Sequence, residues 1–273
     1  MQIGSGYQIK GEIDLSIVVI TWKMKEYLAN LLRSIYAYTT KLTFELIVVD
    51  NCSGDHTVEM IEEQYPDVIL IKNERNRGVA PARNQAFKIA RGRYIVTLDA
   101  DMLLVENSLD RMIAFMDSMP EVGLCGCKLI FPDEVVQPSA RRYPTPYAFV
   151  LRRLEFLPLV RKSAALRHHE MTEWDRSDSR QVDYVIGACQ FIRREAMAQT
   201  GLLDEKIFYG PEDIDYCLRM YKTGWKVYCY AETKIIHFEQ RITKKRLFTR
   251  LSWLHFKGIV YLYLKYNGKL SHT

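Results

Sequence analysis

Apolar residues in the first half of this chain come in short, dense runs. "LSIVVIT" (15–21) and "FELIVVD" (44–50) are rich in β-branched residues and too short to be helices. Such runs predict strands buried on both faces of a sheet. "DVILIK" (67–72), "RYIVTL" (93–98) and "VGLCGCKLI" (122–130) repeat the pattern. Between the runs the spacing turns helical, as at Tyr27, Leu28, Leu31, Leu32 and Ile35, and again in "HTVEMIEEQY". In "NERNRGVAPARNQAFKIA", Gly78 and Pro81 mark a helix start. Strand alternating with helix predicts an α/β fold, Rossmann-like, with a mostly parallel central sheet and helices on both faces. Ligands of such sheets bind beyond the carboxyl ends of the strands.

Residues 131–180 break the rhythm. Five prolines, many arginines and little periodicity predict a long loop or an irregular helical insertion, of the kind that often carries function. Order returns with "VDYVIGACQFI", the short helix "RREAMAQTG" and "GPEDIDYCLRMYKTGW". The expected division is one domain over 14–239, with 131–180 on its acceptor side, and a basic amphipathic helical tail over 240–273.

Charge sharpens this division. The formal net charge is +5, yet residues 240–270 hold eight Lys or Arg and no acid, which leaves the rest of the chain at 30 basic against 33 acidic residues, or −3. A basic tail on an acidic body argues against a nucleic-acid binder. The six cysteines show no zinc-like spacing and read as small buried hydrophobes in a reducing compartment. No charged-then-apolar leader opens the chain, and no apolar run is long enough to span a bilayer. The expected location is cytoplasmic.

Three acids stand where strands are predicted to end: Asp50, Asp99 and Asp101. Each alone could cap the next helix; together on one sheet edge they favour a site. Asp99 and Asp101, one residue apart, would point the same way from an extended backbone and repel each other. A doubly wound sheet suggests a nucleotide, but the first strand leads into "WKMKEYL", without the glycines of a dinucleotide loop, and no phosphate-binding P-loop occurs. What remains is a divalent cation held between acids and phosphate oxygens, with Asp99 and Asp101 as its platform.

Seven stretches in order, "SIVVITWK", "IVVDNCSGD", "NRGVAPARNQA", "TLDADM", "GACQFIRREA", "GLLDEKIFYGPEDIDYCLR" and "IIH", make the chain resemble a family 2 glycosyltransferase of the GT-A fold, bacterial rhamnosyltransferase-like. The resemblance implies inverting transfer of a sugar from a UDP- or dTDP-sugar to a glycan, in cell-envelope polysaccharide synthesis. It implies that Thr21, Trp22 and Asp50 receive the base. Arg83, Asp99 and Ala100 would hold the nucleotide-sugar, and Asp101 would ligate Mg²⁺ or Mn²⁺. His237 stands where related enzymes supply a further metal ligand; a packed core histidine is the alternative. The general base lies in the Glu212–Asp213 pair, with Asp213 the choice. Asp215 and Arg219, at i and i+4, read as a structural pair. Acids in the first turn of a helix that starts at Gly210-Pro211 are also favoured by its dipole alone.

The tail places Leu247, Leu251, Leu254 and Tyr261 at roughly helical spacing among cations and aromatics. It reads either as a helix packed on the domain or as an interfacial helix on an anionic membrane surface. The second is favoured here, with "RR" (141–142) and "RRLEFLPLVRK" (152–162) as a further basic, apolar patch. A polyprenyl-diphosphate-linked acceptor at the inner face of the cell membrane follows. The rival to an enzyme is a degenerate accessory subunit that only binds nucleotide-sugar or membrane. The intact acids argue against it.

Overall fold

Alternation within a strand decides which core each residue joins. In the strand Leu15–Thr21, Leu15, Ile17 and Val19 enter one buried layer, whereas Val18 enters the layer on the opposite face. A computed structural model describes residues 2–3, 12–155, 157–239 and 249–271. In chain order its first half runs β1 (Gln2–Ile3), β2 (Leu15–Thr21), α1 (Lys25–Tyr38), β3 (Phe44–Asp50), α2 (Thr57–Gln64), β4 (Ile69–Lys72), α3 (Val79–Phe87), β5 (Tyr94–Asp99), β6 (Met102–Leu104), α4 (Ser108–Ser118) and β7 (Val122–Ile130). Three of the strands expected from apolar runs have the bounds of those runs. The short β6 gave no such signal.

Residues 131–180 form three short helices, α5 (Pro146–Arg153), α6 (Pro158–Arg161) and α7 (Ala164–Glu170), with β8 (Ala140–Arg141) before them and β9 (Arg180–Gln181) after. The helical alternative for this stretch is the one found. The chain continues through β10 (Tyr184–Val185), β11 (Cys189–Arg193), α8 (Arg194–Thr200), α9 (Glu212–Lys222) and β12 (Lys226–His237) to α10 (Arg250–Lys265).

The main sheet has the order β1-β4-β3-β2-β5-β11-β7-β12-β6, with β9 also on β12. From β4 to β5 all neighbours are parallel; β11 then enters antiparallel between β5 and β7. The chain moves outward from β2 to β4 and returns to the other side of β2 at β5. That reversal leaves a crevice at the carboxyl ends of β2 and β5. One core layer packs α1, α2 and α4 on the sheet, and the other packs α3, α8 and α9. Five of the six cysteines are buried within the fold, and Cys52 is exposed.

The tail is only partly described. Residues 240–248, with four of the eight cations and Leu247, lie outside the described residues. The helix α10 packs on the domain by one face: Leu262 is fully buried in the second core layer. Tyr263 Oη donates to the Pro144 carbonyl at 2.6 Å, and Lys265 Nζ donates to Asp215 at 2.6 Å. Tyr261, expected on a lipid-facing side, instead donates to Asp204 at 2.8 Å. The "RR" pair is likewise not a surface patch, since Arg141 is buried and Arg142 pairs with Glu173.

Leu262 makes this packing testable. Leu262→Ala should lower the unfolding free energy by about 2–5 kcal/mol, the cost of a cavity in a packed core. Denaturant unfolding reads it; a loss under about 0.5 kcal/mol would place the residue on a surface.

Candidate active site

The carboxyl ends of β3, β2 and β5 lie side by side, with Thr21 opposite Asp50 and Ile20 opposite Asp99. Asp50 accepts a hydrogen bond from the Ser53 amide through Oδ2. Its Oδ1 and the hydroxyl of Thr21 are buried without a partner among the described residues. Two orphaned polar atoms in adjacent register are costly unless a ligand completes them. Trp22 follows at the surface, 40% exposed, with the Lys23 ammonium over its ring.

Asp99 ends β5, and Ala100 and Asp101 form a turn rather than the extended continuation expected from their spacing. The turn leads into β6, which pairs antiparallel with the end of β12 and sets His237 opposite Met102. This pairing brings His237 Nε2 to 3.5 Å from Asp101 Oδ1. One ligand atom from each of Asp99, Asp101 and His237 lies within 4.8 Å of the others. Two carboxylates and an imidazole are a donor set suited to a divalent cation.

Gln137, which sequence reasoning missed, orients the ring. Its Nε2 donates to the His237 carbonyl at 2.7 Å, which turns its Oε1 toward Nδ1 at 2.9 Å. Nδ1 therefore carries a proton, and Nε2 is the nitrogen presented to the carboxylates. Burial works against charge on this ring, but the hydrogen bond and charge of Asp101 outweigh it and raise its pKa.

Arg83, on α3 and 3% exposed, joins this cluster to the second pair of acids. Its Nη2 donates to Asp99 Oδ1 at 2.9 Å and to the Gly187 carbonyl at 2.8 Å. Its Nη1 lies 3.5 Å from Glu212 Oε1, an ion pair too long to count as a hydrogen bond. Gly187 allows this close approach: a Cβ there would come within 2.7 Å of Nη1 and displace the guanidinium. Glycine inside the "GACQ" stretch was the one sequence sign of this close approach.

Glu212 and Asp213 open α9. Burial, then the neighbouring Asp213 charge, pushes the Glu212 carboxyl up to about 8. Burial also raises Asp213, but the amides of Ile214 and Gly187 donate to its carboxylate at 2.7 and 3.2 Å and oppose that rise. Arg141 contributes a further opposing charge to Asp213. Hydrogen bonds from amides favour the ionised form. Burial thus favours a proton on Glu212, and the two amides oppose the same rise at Asp213. Asp215 is elsewhere: fully buried, it takes Arg219 at 2.9 Å as expected, together with Lys265 at the end of α10 and Tyr266 just after it.

Residues 16–201 match the model of Glycosyl transferase family 2, over more than half of the chain. The chain belongs to glycosyl transferase family 2. The O-antigen biosynthesis protein RfbC of Myxococcus xanthus is 31% identical over 236 residues, covering 85% of this chain and 18% of that protein. The N-acetylglucosaminyl-diphospho-decaprenol L-rhamnosyltransferase of Mycobacterium tuberculosis is 24% identical over 267 residues, covering 93% of this chain and 85% of that protein. Among solved structures, the mannosyltransferase PcManGT from Pyrobaculum calidifontis, in complex with GDP-Man and Mn²⁺, superposes with a TM-score of 0.61 at 19% identity. It covers 92% of this chain and 65% of that one. The fold of this family 2 glycosyltransferase is GT-A. The family match ends before Glu212, Asp213 and His237.

The proton on Glu212 predicts a pH effect. Between its ordinary value of 4.5 and about 8, the native state binds a proton that the unfolded state has released. The Glu212 contribution to stability is therefore lost as pH rises through that window. Glu212→Gln, which cannot ionise, should gain on the wild type by more than about 1 kcal/mol between pH 5 and 8. Unfolding measured across that range tests it; a constant difference would mean that Glu212 is ionised throughout.

Proposed function

We propose that the chain is a metal-dependent, inverting glycosyltransferase. It moves a sugar, with rhamnose one candidate, from a UDP- or dTDP-sugar to a polyprenyl-diphosphate-linked glycan in cell-envelope polysaccharide synthesis. The observation that carries this reading is the bridge at Arg83. One guanidinium stands between the Asp99, Asp101 and His237 cluster and the acid pair of α9. A leaving diphosphate and an attacking hydroxyl need opposite sites that close together.

The orphaned Thr21 hydroxyl and Asp50 Oδ1 suit the donor and acceptor groups of a pyrimidine, with Trp22 at the mouth. Arg83, Asp99 and Ala100 line the sugar-nucleotide side. Asp101 and His237, with Asp99 within reach, would hold Mg²⁺ or Mn²⁺. When bound, such an ion neutralises charge on the departing diphosphate. Asp213 takes the proton of the acceptor hydroxyl as its oxygen attacks the anomeric carbon. The bond from that carbon to the diphosphate oxygen breaks with inversion, and the nucleoside diphosphate leaves with the bonding pair. A single displacement needs no second nucleophilic carboxylate. Support for the acceptor comes from the mycobacterial relative, whose name specifies a decaprenyl-diphosphate substrate. No helix among the described residues is long and apolar enough to cross a membrane.

A panel of UDP- and dTDP-sugars with Mg²⁺ or Mn²⁺ tests the reading by release of nucleoside diphosphate. Asp213→Asn should keep nucleotide affinity and lose roughly 10²–10⁴-fold in turnover, the range for a lost general base. Asp101→Ala should abolish turnover. Full activity in a chelator would remove the metal from the account, and an active Asp213→Asn beside an inactive Glu212→Gln would move the base by one residue.

A further inference from the structure

The helix α10 has two faces of different kinds. Ser252, Gly258 and Leu262 are buried against the domain. On the opposite side Trp253, Phe256, Val260 and Leu264 are exposed, Leu264 by 73%. Their spacing of three, four and four residues makes one continuous stripe along the helix. Lys257 lies beside the stripe, with its ammonium 5.5 Å from the Trp253 ring centroid.

The neighbouring helix repeats the arrangement. Phe149 of α5 meets Tyr263 of α10 edge to face, with ring centroids 5.9 Å apart. Beside Phe149, α5 turns Tyr147 and Val150 to solvent, and Leu159 of α6 is 87% exposed. Two helices in contact through Phe149 and Tyr263 thus each turn large apolar side chains to solvent, and clustered apolar exposure marks an interaction site.

We propose that α10 and the α5–α6 segment form a docking surface for an anionic lipid bilayer. Charge selects this occupant. Residues 249–271 carry Arg250, Lys257, Lys265 and Lys269 and no acid, with Lys265 held by Asp204 and Asp215 on the domain. Arg161, Lys162 and Arg167, together with Glu155, line a surface basin beside α6. A second copy of the chain would set like charges against one another across a two-fold axis, whereas acidic headgroups complement them. The stripe enters the headgroup boundary without spanning it.

The surface deepens the reading of a lipid-linked acceptor and rests on it for its purpose. The buried face of α10 lies on the residues just before the acid pair. A Cβ at Gly258 would come within 3.0 Å of Pro211, and one at Gly210 within 2.0 Å of His255. A helix lying in the interface would hold Asp213 roughly one helix diameter, about 10 Å, from the lipid surface.

The test is sedimentation of the full chain with phosphatidylcholine vesicles, with or without phosphatidylglycerol. The wild type should bind the anionic vesicles, less so at high salt, and bind neutral ones poorly. Phe256→Glu with Leu264→Glu should weaken binding roughly tenfold or more. Tyr38→Glu with Val135→Glu, the same charge change at exposed sites elsewhere, should weaken it much less. Thermal unfolding of both double variants should match the wild type. The proposal is overturned if the wild type ignores anionic vesicles or if the two double variants bind alike. It is also overturned if the wild type is a dimer that the Phe256/Leu264 variant alone dissociates. Nucleoside diphosphate release with a short water-soluble acceptor should not change in that variant. No release from the wild type, with vesicle binding intact, would strike the proposed reaction and leave the surface standing.

Discussion

A buried guanidinium must be matched by acceptors, and Arg83 is the point at which this structure meets that demand. Its partners come from three distant parts of the chain: Asp99 at the end of β5, the Gly187 carbonyl before β11, and Glu212 at the start of α9. Without it the acid groups of the cleft would face one another in a poorly solvated space. Charge of one sign at that density either takes up protons or forces the elements apart. In this cleft burial favours a proton on Glu212, and Arg83 offsets the neighbouring acids. Two amides fix the direction of the Asp213 carboxyl group at the cleft edge.

The same logic extends outward through α9. Asp215 sits one turn into that helix, fully buried, and collects Arg219, Lys265 and Tyr266. Lys265 ends α10 and Tyr266 follows it, so the C-terminal helix is fastened to the element that carries the acid pair. Gly210, at φ 123°, lets His255 of α10 approach the backbone where no side chain would fit. The tail is thus part of the frame on one side and free for another partner on the other.

Much of this was legible in the sequence, for identifiable reasons. β2, β3 and β7 are short β-branched or apolar runs with polar ends, so local composition alone gave their bounds. Asp50, Asp99 and Asp101 could be read because a strand ending in an acid is visible without knowledge of the rest of the fold. Gln137 could not: its partner is 100 residues away, and nothing local distinguishes it from a loop amide. His237 depends on the pairing of three-residue β6 with β12, a contact too short to leave a periodic signal. In the tail the sequence showed helical spacing among cations but not which face packs on the domain. Which of its apolar residues are buried was decided by packing against α9 and α5, and Tyr261 and Leu262 went inward while Trp253 and Phe256 stayed out.

The central claim is that Arg83 and the acids around it act as one unit. A double-mutant cycle with Arg83→Met and Asp99→Ala, read by denaturant unfolding at neutral pH, measures that directly. The account predicts a coupling energy above about 1 kcal/mol, because removing either partner already forfeits the bond between them. Losses that add to within about 0.3–0.5 kcal/mol would show the two residues to be independent, and the bridge between the two sides of the cleft would have to be abandoned.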